Sequence, residues 1–302
     1  MMKKNSINTI LVTTNFSEKS NNAIKMAANI ATRHSARIII FHSINNHFLI
    51  DRTGKQVIGA ETIKENSEKT ENALSDLKSS LTSEFPTLHF ETIIKNDSLV
   101  NGINDTIDLE NVDLIVSGTS GQQKFAQLIL GSLSYEILNG ANCSVLLVPE
   151  NCVKYSFEKI LVTVRVLDDL SEKVDLSLAI AKKNKGVISL LGISSEDDLL
   201  TITDAYQEIR KNLAVSGQEY ESHFLLTRDK ATQISKFSKD DLADIIILNY
   251  QDEDSWKSIF SENFLKHIIN NTDIPLFFLK NKNNTSNSDG NAGFDITLPC
   301  PG

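Results

Sequence analysis

The sequence predicts an α/β protein of two tandem, doubly wound domains, each built on a five-stranded parallel sheet. Three observations predict it. Strand-like and helix-like segments alternate along the chain. The strand-like runs are almost continuously apolar, as strands covered on both faces are. The chain also matches itself at a fixed offset, the signature of an internal repeat.

The elements follow in order. Residues 7–13 (INTILVT) are rich in β-branched residues and read as a strand. Asn15 or Ser17 caps the helix that follows, in which Ala23, Ile24, Ala27, Ile30 and Ala31 recur at helical spacing. Residues 37–42 form a second strand, 45–60 a loop or excursion, and 61–83 a long exposed helix whose apolar positions are Ile63, Leu74, Leu77 and Leu81. Residues 89–94 are a third strand, 98–110 a short helix and 113–117 a fourth strand. A helix then runs from Gly131 to Gly140, ended by its glycine, and a fifth strand over 144–148 is stopped by Pro149.

An offset of 150 residues lays Ile10-Leu11-Val12-Thr13 on Ile160-Leu161-Val162-Thr163, and Ile30-Ala31 on Ile180-Ala181. Further along, an offset of 131 lays Asp113-Leu114-Ile115-Val116 on Asp244-Ile245-Ile246-Ile247, and Val145-Leu146-Leu147 on Leu276-Phe277-Phe278. The second copy is therefore about 19 residues shorter in its middle. The predicted domains are residues 1–150 and 156–280. The Asn/Ser/Gly tract that opens 281–302 cannot build a core and reads as a disordered tail.

Bulk properties narrow the function. A chain of 302 residues, 40% hydrophobic and 23% charged, is ample for two soluble domains. A net charge of −9 argues against nucleic acid and against anionic membrane surfaces as partners. No apolar run approaches the roughly 20 residues that cross a bilayer, and the N-terminus lacks the apolar core of a secretory signal. The cysteines Cys143, Cys152 and Cys300 have no CxxC spacing, which suits a reducing cytoplasm and offers no metal cage. The six histidines show no metal-ligand spacing, and no nucleophile–base or Walker-type motif is present.

One segment carries chemistry. Gly118-Thr119-Ser120-Gly121 follows the fourth strand, and nine residues later Gly131-Ser132 opens a helix. Glycines let backbone approach a ligand closely, and the first amides of a helix favour an anion. Gly, two residues, Gly, nine residues, Gly-Ser at this place resembles the universal stress protein family. So do the opening ILVTTNFSEKSNNAIKMA and the ending GSLSYEILNGANCSVLLVP. The resemblance implies a Rossmann-like, adenine-nucleotide-binding domain and a regulatory, stress-response role in the cytoplasm, with at most slow ATP hydrolysis. It implies ATP as ligand, with Mg, and packing of the two repeats as a pseudo-dimer, as subunits pair in family dimers; a homodimer of whole chains stays open.

By the same resemblance the binding residues are Thr14, Asn15, Ser43, Ile44, Gly118, Thr119, Gly121, Gly131, Ser132 and Leu133. Asn15 stands where the family has an acidic residue, and His42, Ser43 and Ile44 where backbone meets adenine. In the second copy Asn249, Asp252, Glu262 and Asn263 fall on Gly118, Gly121, Gly131 and Ser132, and Arg165 on Asn15. That copy is expected to pack rather than bind. The alternative reading is a protein-interaction module with both repeats structural. An ATP-consuming enzyme of the wider group ranks last.

Overall fold

The computed structural model describes residues 7–44, 60–119, 132–165, 167, 170–250 and 258–280. The first half contains β1 (Thr9–Thr13), α1 (Glu18–His34), β2 (Arg37–Ser43), α2 (Ala60–Glu84), β3 (Phe90–Lys95), α3 (Leu99–Glu110), β4 (Leu114–Thr119), α4 (Ser132–Gly140) and β5 (Ser144–Pro149). The second contains β6 (Lys159–Val164), α5 (Leu170–Asn184), β7 (Val187–Ser194), α6 (Leu199–Ser216), β8 (Tyr220–Leu226), α7 (Lys230–Asp240), β9 (Ile245–Asn249), α8 (Ser258–Asn271) and β10 (Leu276–Leu279). The expected excursion at 45–59 and the expected tail at 281–302 lie outside the described residues.

The ten strands form one sheet in the order β3-β2-β1-β4-β5-β10-β9-β6-β7-β8. Every pairing is parallel except β5–β10, where Leu276, Phe277 and Phe278 face Leu147, Leu146 and Val145. The two five-stranded sheets expected from sequence are thus halves of a single sheet, joined edge to edge. The 131-residue offset exchanges Val145 with Leu276 and Leu147 with Phe278, so the antiparallel seam maps onto itself. A pseudo-two-fold axis passes between Leu146 and Phe277.

Side chains alternate across each strand, and both faces are covered. Ile10, Val12, Ile38 and Ile40 join the layer formed with α1, α2, α5 and α6. Leu11, Ile39 and Phe41 join the layer on the other face, with Ile103, Ile137, Ile234 and Ile268 from α3, α4, α7 and α8. Both clusters run through both halves without a break.

The repeat recurs in single hydrogen bonds. Asp113 Oδ2 accepts the amides of Asn8 and Thr9 at 2.9 and 3.1 Å. Asp244 Oδ2 accepts those of Glu158 and Lys159 at 2.7 and 2.9 Å. After α1 and α5 the chain turns through a left-handed residue at Ser35 (φ 57°) and Lys185 (φ 52°). After α3 and α7 it does so at Asn111 and Leu242, both at φ 53°.

Two features fix how the halves sit. The connection between β5 and β6 lies along α1, whose Asn22 Nδ2 reaches the carbonyls of Pro149, Glu150 and Cys152 at 2.9–3.1 Å. Asn22 Oδ1 accepts from the Tyr155 hydroxyl at 2.5 Å, and Arg33 donates to the Tyr155 carbonyl. At the other end, Lys280 Nζ donates to the carbonyls of Asn139 and Ala141 at the close of α4 and lies 4.0 Å from the Tyr250 ring centroid.

Candidate functional site

In each half the order in which strands are added to the sheet reverses between the first and fourth strands, the parallel neighbours β1/β4 and β6/β9. Open α/β sheets bind ligands beyond the carboxyl ends of the strands at such a switch point. The two halves place different side chains there.

In the first half two helix N-termini converge on the β1/β4 crevice. Ser17 caps α1, its Oγ accepting Ser20 N. Asn15, the alternative cap, supports that turn from outside: its Oδ1 accepts Ser17 N at 3.2 Å and Ser17 Oγ at 2.6 Å. The N-terminus of α4 is held against β4 by Ser134 Oγ, which donates to the Gly118 carbonyl at 2.9 Å. The first amides of a helix have no intrahelical acceptors and carry the positive end of its dipole, so an anion is favoured between these two ends. Leu133, in the first turn of α4, is exposed.

Asn15 and Leu133 apart, the expected binding residues divide into three sets. Gly121 and Gly131 lie outside the described residues, and so does the side chain of Ser132, whose backbone opens α4. Gly118 and Thr119 were expected in a loop but belong to β4, paired with Val148 and Pro149. A Cβ on Gly118 would strike the Lys19 carbonyl at the start of α1, so this glycine is required by strand–helix packing whether or not a ligand approaches. The third set has its polar atoms engaged within the fold. Thr14 Oγ1 accepts Phe16 N and donates to Ser20 Oγ. Ser43 Oγ donates to the Asp97 carbonyl at 2.9 Å, and Ile44 N, expected to face a base, donates to the Lys95 carbonyl at 2.9 Å.

Sequence reasoning named His42 for its backbone alone, and neither its ring nor that of Phe16 entered as a ligand group. The His42 ring lies 4.9 Å from that of Phe16, and its Nδ1 is 2.8 Å from the Thr14 carbonyl. A carbonyl only accepts, so this nitrogen carries the proton.

In the second half the crevice holds the chain's own cations. Asn249, which replaces Gly118, is fully buried. Its Oδ1 accepts from Lys173 Nζ, and its carbonyl accepts from Arg165 Nη2 at 3.1 Å. Lys173 is only 1% exposed and also donates to the Thr163 carbonyl. Arg165 lies over the Phe264 ring, 3.9 Å from its centroid. Lys173 falls on Ala23 of the first half, a buried position, and that mismatch was the available sequence signal. Asp252 lies outside the described residues, and so do the side chains of Glu262 and Asn263, whose backbones belong to α8.

The sequence pattern of the universal stress protein family matches residues 6–149. A universal stress protein A homolog from Haemophilus influenzae is 30% identical over 141 residues, which is 46% of this chain and 94% of that protein. The chain belongs to the universal stress protein family. Solved structures extend the likeness of fold over both halves. A universal stress protein from Archaeoglobus fulgidus superposes with a TM-score of 0.74 at 20% identity, over 91% of this chain and 98% of that one. A protein of unknown function from Pseudomonas aeruginosa gives 0.61 at 18% identity, over 92% and 94%.

As a universal stress protein, the chain shows an intact glycine pattern in its first repeat only. Among the described residues no group of three or more His, Cys, Asp or Glu could hold a metal ion, and no helix is long and apolar enough to cross a membrane.

Proposed function

We propose that this universal stress protein is a regulatory protein of the cytoplasm that binds ATP or a related adenine nucleotide in its first repeat and is not an efficient enzyme. The observation that carries the reading is the β4–α4 connection. It carries the complete glycine pattern Gly118, Gly121, Gly131, Ser132 and delivers a helix N-terminus to the β1/β4 crevice, beside that of α1. Such an arrangement fits an anion. Bound phosphates, not protein carboxylates, would supply the charge that holds Mg, because the described residues offer no acidic cluster. Among the described residues no base is placed to activate water, and slow hydrolysis is the reading that fits.

A specific observation favours the second reading, a protein-interaction module without nucleotide. Gly118 is accounted for by packing on Lys19, and the Asn15 carbonyl oxygen, which replaces a carboxylate, is used in the α1 turn. Mass spectrometry of small molecules released from the purified protein decides between them. Copurifying adenine nucleotide, or a rise in melting temperature with ATP that Gly131→Glu removes, supports the first. Absence of both at millimolar ATP supports the second.

A further inference from the structure

Phe16 does not make the packing contact usual for its position in the chain. It precedes the cap Ser17, a position where an apolar side chain usually packs onto the fourth residue of the helix. Here that residue is Asn21, which is exposed. Phe16 instead turns towards the end of β2 and meets His42, with the ring planes 37° apart. Its backbone is left-handed, at φ 63°, a conformation rare for a bulky residue. Hydrogen bonds to Thr14 hold it there: Phe16 N donates to Thr14 Oγ1, and His42 Nδ1 meets the Thr14 carbonyl, so one residue fixes both rings. Phe16 remains 37% exposed, above the carboxyl ends of β1 and β2.

We infer that Phe16, backed by His42, is the platform on which a nucleobase stacks, so that the first repeat reads the face of its ligand's base. The inference rests on the nucleotide reading above and adds how the base is held. Stacking is needed here because the atoms expected to read the base edge and sugar are engaged: Ile44 N with Lys95, Ser43 Oγ with Asp97, and Asn15 Oδ1 with Ser17. A stacked base leaves the phosphates free to run past Thr14 towards β4 and α4, since β1 lies between β2 and β4. The ligand class is a nucleotide with an extended π-face, purine over pyrimidine.

The test is calorimetric titration of the full chain with ATP, UTP and inorganic tripolyphosphate, on wild type, Phe16→Leu and Phe16→Tyr. Loss of the aromatic ring in Phe16→Leu is expected to weaken ATP roughly 5- to 100-fold, with tripolyphosphate changed by less than about twofold and Phe16→Tyr close to wild type. Wild type is expected to prefer ATP to UTP, a comparison that needs no variant and stands even if Phe16→Leu does not fold. ATP affinity unchanged in a folded Phe16→Leu, an equal loss of tripolyphosphate, or equal wild-type affinity for ATP and UTP overturns the platform alone. Wild type that binds no ATP overturns the nucleotide reading and the platform with it.

Discussion

At the scale of single residues, the repeat shows which positions are constrained by backbone and which by chemistry. Leu242 occupies the left-handed position after α7 and is 80% exposed, whereas its counterpart Asn111 is a residue type that tolerates this conformation. Leu242→Asn is therefore expected to stabilise the protein by about 0.5–1 kcal/mol, read as a higher denaturation midpoint, with no change in ligand binding. His34 is constrained by chemistry. It lines a small cavity between α1 and α5 together with Arg33, Phe157, Ile180 and Asn184. Burial, with Lys183 and Arg33 nearby, pushes its pKa down to about 4. The unfolded chain, with the ordinary histidine value, binds the proton first on acidification. Stability from this group is thus complete above about pH 6.5 and is lost as pH falls towards 4, by at most about 3 kcal/mol. Urea midpoints measured across that window should drop less for His34→Asn, which copies Asn184 of the other half; an equal drop would remove His34 as the cause.

At the scale of elements, the two apolar clusters and the β5–β10 ladder join the halves, and a few polar side chains of α1 and the end of β10 add to them. Asn22 stitches three carbonyls of the β5–β6 connection and receives the Tyr155 hydroxyl. Replacing it by alanine leaves those groups to water or to nothing, at a cost of about 2–3 kcal/mol in chemical denaturation. A change below about 0.5 kcal/mol, within the range of ordinary surface substitutions, would mean that the connection is not held there. The strands and helices were legible in the sequence because apolar periodicity reports burial directly: residues 37–42, 98–110 and 144–148 each match an observed element to within a residue at each end. The end of β4 was misread because glycine is a turn signal. Gly118 stays in the strand because α1 presses on it, which only the packed pair can show. The polar commitments of Ser43 and Ile44 were likewise hidden, since they depend on Asp97 and Lys95 arriving from elsewhere in the fold. Lys173 was readable only by laying the copies on each other, as a lysine facing a buried alanine.

At the scale of the whole molecule, the chain is a covalent pair in which symmetry of framework coexists with asymmetry of function. The seam at Leu146 and Phe277, the paired aspartates Asp113 and Asp244 and the left-handed turns all obey the two-fold. The crevices do not: one receives two helix N-termini, and the other is occupied by Lys173, Arg165 and Asn249. Titration calorimetry of the full chain with ATP and Mg tests this asymmetry most directly. The account predicts one site per chain, abolished by Gly131→Glu and unaffected by Asn249→Gly. Two sites per chain, or one site that survives Gly131→Glu, would contradict it.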